Sequence, residues 1–286
     1  MSSQGEGTPD VQVLAARSWR ALAYAVPIRA LGSLIGLGGA EFRLPVLVGP
    51  LGYPARRAVP LNLAVSPVTI SASLVIRGNA LSYSTLAPYA LVIGGLITGA
   101  VVAAFAGTAL VHRLSTTLLN RIILVLLVGI GLALLVESVT ATGGAGLVPP
   151  DAPWRVGTAI AFGLVIGAVS SLLGVAGGEL IIPTLVFAFG LDIKTAGTAS
   201  LLISLPTVAV GVARHAARGA FPRPDVTATV VPMGLGSVVG ALLGGLLVGL
   251  VPTGWVKAGL GTILIFSAWR IFSHSRAPAP GALRDT

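Results

Sequence analysis

The 286 residues are 55% hydrophobic and 9% charged, with a mean hydropathy of +0.95; so few charges cannot solvate a globular surface, which makes this an all-α polytopic membrane protein. The net charge of +9 would suggest nucleic acid in a soluble protein, but most basic residues stand at the ends of apolar runs, as membrane anchors and topology signals do, and no nucleic-acid partner is expected. Cysteine is absent, which excludes disulfides, thiolate metal sites and cysteine catalysis.

Residues 1–18 are polar and lack a short apolar core followed by a small-residue cleavage site, so they are expected to form a cytoplasmic tail and not a signal peptide. Apolar runs then fall near 21–52, 60–76, 85–111, 118–139, 156–190, 196–213, 226–250 and 256–272. These eight elements divide into a first repeat over 19–140 and a second over 156–273, joined by the turn-rich segment 141–155 and followed by a C-terminal tail over 274–286. Within the third and seventh elements, Gly95/Gly99 and Gly236/Gly240/Gly244 have small-xxx-small spacing and read as close helix packing in lipid, within one chain or between chains. Trp19, Trp154, Trp255 and Trp269 lie near segment ends, where an aromatic belt would place them.

The first and fifth elements differ from the others. Gly36-Leu-Gly-Gly-Ala-Glu41-Phe-Arg-Leu-Pro45 and Gly174-Val-Ala-Gly-Gly-Glu179-Leu-Ile-Ile-Pro183, 138 residues apart, each interrupt an apolar run with glycines, a glutamate and a proline. A carboxylate at bilayer depth costs at least ~2.5–3.5 kcal/mol, and paired glycine-interrupted segments in two halves point to a transporter's binding site. The repeat continues at the same offset, pairing Ala58 with Ala196, Asn62 with Ser200, Ser66 with Ser204 and Thr69 with Thr207.

Two topologies follow, with the broken elements either spanning or re-entrant. Leaving aside Arg29 and Arg43, which lie within the first element, if all eight elements cross with the N-terminus inside, ten basic residues lie on the inner side against six outside. If elements one and five are hairpins, Arg56, Arg57, Arg113 and Arg121 join the inner side, Arg77 and Arg155 move out beside Lys194 and Lys257, and the balance becomes twelve against four. The positive-inside rule favours the hairpins, with both termini cytoplasmic and the two four-element repeats inverted. Glu41 and Glu179 would then approach a shared pseudo-two-fold axis from opposite faces.

These motifs, each followed by an Ala-x-x-x-Asn/Ser helix opening at Ala58–Asn62 and Ala196–Ser200, resemble the duplicated glycine-rich signature of the TauE/SafE family of sulfite exporters. The resemblance spans roughly residues 20–272. It implies a carrier in the bacterial inner membrane for sulfite, organosulfonates or related small anions, often outward. The first motif departs from the glycine-richest form at Ala40, and Arg43 has Ile181 as its counterpart.

Physically, a helix broken at glycine exposes backbone N–H groups to a small oxyanion without a full cation. The expected substrate-binding set is Gly36, Gly38, Gly39, Ala40, Glu41, Arg43, Asn62, Ser66, Gly174, Gly177, Gly178, Glu179, Ser200 and Ser204. An ionised glutamate repels an anion, whereas desolvation favours the neutral acid, so Glu41 and Glu179 are candidate proton carriers. The alternative for them is to accept N–H bonds from their own broken helices. Arg43 is either a bidentate anion ligand or one half of an internal ion pair, and Arg29 is expected as an interfacial anchor.

His112 and His274 fall at segment ends, His215 lies in the basic loop Arg214–Arg223, and no metal-ligand spacing or His-Glu-x-x-His occurs. No cofactor is expected. A P-loop is absent too, which argues against ATP-driven pumping by this chain. An anion channel using the same breaks as a constriction is the alternative to a carrier; an intramembrane enzyme would have to use the two acids. Monomer and homodimer both remain open.

Overall fold

A computed structural model describes residues 11–35, 38–80, 83–106, 128–129, 131–132, 135–136, 138, 146–149, 151–173, 176–248, 250–252, 254–256, 258–259, 261–262 and 265–266. The described residues are helical, with turns and no strand. The first apolar run forms two helices, α1 (Val11–Ile35) and α2 (Ala40–Val48). Next come α3 (Ala55–Ala80) and a 3-10 segment, Tyr83–Tyr89, that leads into α4 (Ala90–Ala106). The second half repeats the order. It comprises α5 (Ala152–Leu173), α6 (Gly178–Pro183) with a π-helical extension Thr184–Ala188, and α7 (Ile193–Ala217). A turn at Arg223–Asp225 and a π-helical segment Val226–Val230 then lead into α8 (Val231–Val248).

Two helices begin earlier than the sequence suggests. α1 starts at Val11, inside the expected tail, and α5 starts at Ala152 because Pro153 falls in its first turn, where a missing N–H is tolerated. The elements expected at 118–139 and 256–272 lie mostly outside the described residues. Among their described pieces, Gly261 faces Gly131 and Leu135.

Five helical stretches are long and apolar enough to cross a membrane: Arg57–Gly78, Ser84–Phe105, Pro153–Ser170, Ile193–Ala217 and Arg223–Leu247. Large side chains such as Val75, Leu91, Phe105, Leu235 and Leu246 point outward, exposed, as lipid-facing positions of a multi-pass protein require. Trp19, Trp154 and Trp255 are also exposed, in keeping with an aromatic belt, and Trp269 lies outside the described residues.

Each break turns on a left-handed glycine. Gly39 has φ 72° and Gly177 φ 74°, a conformation that a Cβ disfavours. Another such pair, Gly52 (φ 70°) and Gly190 (φ 72°), follows the short helices at the same 138-residue offset. After the first break the chain comes back along α1: Gly39 lies against Ile28 and the Arg29 guanidinium, and the Arg17 guanidinium sits 5.0 Å over the Tyr53 ring. The second half does likewise. Gly177 lies against Ile166 and Ser170, while Arg155 sits 5.9 Å over the Phe189 ring and donates to the Phe189 carbonyl at 3.0 Å.

The halves interlock through small residues. α1 packs on α8 and α4 on α5. A Cβ at Gly236 would meet the Leu22 carbonyl at 2.5 Å, one at Gly240 the Arg29 Cβ at 2.9 Å, and one at Gly244 the Ser33 Cβ at 2.9 Å. Because these contacts advance in step along both helices, α1 and α8 run parallel. Gly95 against Ala159, Gly163 against Leu96, and Gly99 and Gly167 against Leu164 and Ala100 make α4 and α5 parallel in the same way. These small-xxx-small stripes therefore pack helices within one chain, where close approach gains dispersion contacts that lipid cannot supply.

α3 and α7, by contrast, pass each other antiparallel. Arg77 reaches Lys194 and Thr198 at one end, and Leu63 meets Gly211 at the other. Leu63, Ile70 and Leu74 of α3 pack with Leu201 and Val208 of α7 and with Ala176. The start of α7 is fixed by Asp192, whose carboxylate accepts from the Lys194 and Thr195 amides at 3.0 and 3.2 Å.

Candidate functional site

The site is built on one face of α3. Asn62, Ser66, Thr69, Ser73 and Arg77 succeed one another by three or four residues, so they share a helical stripe, and all five are fully buried. In α7 the corresponding positions are Ser200, Ser204, Thr207, Gly211 and His215, of which the three hydroxyl residues are buried.

Arg43 from α2 lies fully buried against this stripe. Its Nε donates to Asn62 Oδ1 at 3.1 Å, one terminal nitrogen to Thr69 Oγ1 at 3.2 Å, and the other to Ser66 Oγ at 2.6 Å and the Asn62 carbonyl at 3.4 Å. These four acceptors are neutral and orient the guanidinium against the stripe. Asn62 also donates to the Ala40 carbonyl at 2.9 Å, which ties the stripe to the start of α2.

The two breaks meet. A Cβ on Gly38 would stand 3.2 Å from the Cβ of Ala176, and these residues are counterparts at the 138-residue offset. Ser204 donates to the Ala176 carbonyl at 2.9 Å, joining α7 to the second break. The structure thus gathers Gly38, Gly39, Ala40, Arg43, Asn62 and Ser66 on one side of this meeting point and Gly177, Gly178 and Ser204 on the other. Ser200 is buried and bonds its own helix at the Gly197 carbonyl (2.9 Å). Glu179 is the second residue of α6 and half-buried. Glu41 is the second residue of α2, with its side chain outside the described residues, where Gly36 and Gly174 also lie.

Two arginines differ from their sequence reading. Arg29 is no interfacial anchor: it is fully buried, lies beside Gly39 and donates to Ser73 Oγ. Arg77, placed among the loop charges in the topology balance, is fully buried too and donates to the Ser33 carbonyl (2.5 Å), Thr198 Oγ1 (3.2 Å) and the Lys194 carbonyl (3.2 Å). Arginine near the end of an apolar run usually snorkels to the interface, and here carbonyls and hydroxyls of neighbouring helices replace that water. The three-and-four spacing from Asn62 to Arg77 is the signal that would have found Arg77. His215 belongs to the end of α7, not to a loop, and His112 and His274 lie outside the described residues. Among the described residues no group of acids and histidines could hold a metal ion.

Five apolar helices, exposed apolar faces and a buried, cationic polar stripe define a polytopic helical membrane protein with a polar interior. A family model described as "Sulfite exporter TauE/SafE" matches residues 159–284, and over that stretch, which includes the second glycine motif, the chain is similar to a family of membrane transporters. No curated protein and no solved structure matches the chain.

Proposed function

We propose that the protein is a secondary carrier for small anions such as sulfite or organosulfonates, with its site between the two glycine breaks and its two repeats inverted. The meeting of Gly38 and Ala176 carries this reading: two equivalent backbone interruptions converge at one point, and Asn62, which accepts from the buried Arg43, ties the α3 stripe to the Ala40 carbonyl just after the first of them. Irregular backbone at membrane depth belongs where it is buried or lines a cavity. The antiparallel passage of α3 and α7 supports inversion, and the return of each broken element along its own first helix supports the hairpin topology, with both termini cytoplasmic in a bacterial inner membrane.

In this reading the first repeat supplies the charge. Arg43 attracts the anion, with Ser66 and the backbone N–H groups at the first break around it, and Ser204 and Gly177 complete the opposite wall. Glu41 and Glu179 carry the proton whose movement is linked to anion occupancy. Export follows when the cell's gradients favour it, since a reversible carrier has no fixed direction.

The test is sulfite and organosulfonate flux in proteoliposomes, with and without an imposed proton gradient, for wild type, Glu41→Gln and Glu179→Gln. Gradient-driven flux that disappears in either variant, with anion binding retained, supports the coupled carrier. Flux indifferent to gradient and substitutions removes the coupling, and flux without stoichiometric counterflow replaces the carrier with a channel.

A further inference from the structure

Arg77 links three helices at one end of the α3–α7 seam. It projects from α3 in the first repeat and donates to Ser33, in the last turn of α1, and to Lys194 and Thr198, in the first turns of α7 of the second repeat. The last carbonyls of a helix lack intrahelical donors and carry partial negative charge, so the Ser33 carbonyl is a strong acceptor for a guanidinium. Thr198 adds geometry: its hydroxyl accepts from Arg77 Nε and itself donates to the Lys194 carbonyl at 3.2 Å, the same carbonyl that Arg77 engages. Ser33 in turn donates to the Ala241 carbonyl of α8 at 3.3 Å. One planar, permanently charged fork thus ties α1, α3 and α7 at one end of the α3–α7 seam.

The opposite end cannot make the same tie. At the 138-residue offset Arg77 corresponds to His215, Thr198 to Pro60 and Ser33 to Ser171. An imidazole has two ring nitrogens where the guanidinium has five N–H donors, and proline has no hydroxyl. The α3–α7 seam is therefore unequal: the Arg77 end has a three-point tie, and the equivalent positions at the His215 end lack the groups to build one.

We infer that Arg77 is a latch that holds the α3–α7 seam shut at its own end and biases the protein toward opening at the His215 end. The inference rests on the inverted-repeat carrier reading, in which the two ends of the seam face opposite sides of the membrane and open in alternation. Opening at the Arg77 end requires these bonds to break before the two sides of the α3–α7 seam can move apart. Opening at the His215 end does not.

The absence of cysteine makes a single introduced thiol a unique reporter. Leu63 and Leu201 are counterparts in the repeat and both are buried in the α3–α7 seam. Leu63→Cys and Leu201→Cys, each alone, are labelled with a membrane-impermeant maleimide applied to one face of the membrane at a time. In the Arg77→Met background, labelling of Leu201→Cys rises about tenfold, the effect of losing roughly one charge-assisted hydrogen bond from the closed state, and labelling of Leu63→Cys falls. Arg77→Lys gives an intermediate rise, because an ammonium keeps the charge but not the planar fork. Thr198→Val removes one contact, leaves the guanidinium in place and raises labelling in the same direction by about threefold; it stands in for Arg77→Met should that variant not fold.

Unchanged labelling of Leu201→Cys in folded Arg77→Met or Thr198→Val protein overturns the latch. Labelling of both reporters from the same face overturns the inverted repeat instead, whatever Arg77 does.

Discussion

Arg43→Met separates the structural work of Arg43 from its proposed role toward an anion. The substitution removes the guanidinium's bonds to Asn62, Ser66 and Thr69. Two of those partners keep a bond of their own: Ser66 Oγ donates to the Asn62 carbonyl at 3.0 Å and Thr69 Oγ1 to the Ser66 carbonyl at 2.9 Å. Asn62 keeps its donation to the Ala40 carbonyl, but its Oδ1 loses the Arg43 Nε–H. Losing a charge-assisted bond at a buried acceptor costs about 1–3 kcal/mol. Methionine fills much of the same volume, and the desolvation penalty of the charge disappears with it, which offsets the loss of the stronger charged bonds. The balance is a modest destabilisation of about 1–3 kcal/mol, a fall of about 2–5 °C in the thermal midpoint for a chain of this size. Anion counterflow falls much further, about 30-fold or more, because a charge-assisted contact to the substrate has no substitute. The double variant Arg43→Met/Asn62→Leu removes donor and acceptor together, so it recovers part of the stability without recovering flux. Thermal unfolding in detergent alongside counterflow in proteoliposomes makes the comparison. A folded Arg43→Met protein with counterflow within twofold of wild type refutes the assignment.

Other residues give sharper structural tests. Gly240→Ala pushes a methyl group into the Val26 carbonyl and the Arg29 Cβ of α1, so it separates α1 from α8 and destabilises by about 1–3 kcal/mol; an unchanged thermal midpoint would contradict the parallel α1–α8 contact. Gly177→Ala meets both a left-handed φ of 74° and the Ser170 hydroxyl, and is expected to cost about 1–3 kcal/mol and to reduce flux, whereas Gly219→Ala, with φ 68° and open space around it, carries the backbone strain alone and leaves flux intact. Asp192→Ala removes the cap on α7 and lowers stability by about 1 kcal/mol, read as a lower thermal midpoint with anion affinity preserved.

The left-handed glycines were legible in the sequence because glycine acts locally. Gly39 and Gly177 are left-handed for reasons contained in their own backbone, and the 138-residue repeat marks both. The small-residue stripes were legible for a similar reason, since Gly236, Gly240 and Gly244 lie one helical turn apart. Their partners were not: nothing in the spacing of α8 says that α1 receives it. Arg29 and Arg77 escaped because their acceptors, Ser73 for one and Ser33, Lys194 and Thr198 for the other, are 44 to 121 residues away. Without those acceptors the cheapest position for an arginine is the membrane surface, and that is where a sequence reading puts it. The polar stripe of α3 was seen as far as Thr69; Ser73 and Arg77 continue it by the same spacing, but a basic residue at the helix end concealed the pattern.

The seating of α1 on α8 also constrains how the chain is made. Leu22, Val26 and Ala30 wait for glycines more than 200 residues further along, and ribosomes add about 5–20 residues per second. For tens of seconds α1 lies in or on the bilayer with the groove for its permanent neighbour still unsynthesised and with Arg29 lacking the shelter of α8. The insertion machinery or a provisional contact with α3, which supplies Ser73 early, must shield that arginine in the interval. α5 has no such delay, since α4 precedes it and offers its glycines as soon as α5 emerges. The two halves, alike in architecture, therefore assemble on different clocks, and truncation after the first repeat leaves α1 without its seat while α4 presents an unfilled one.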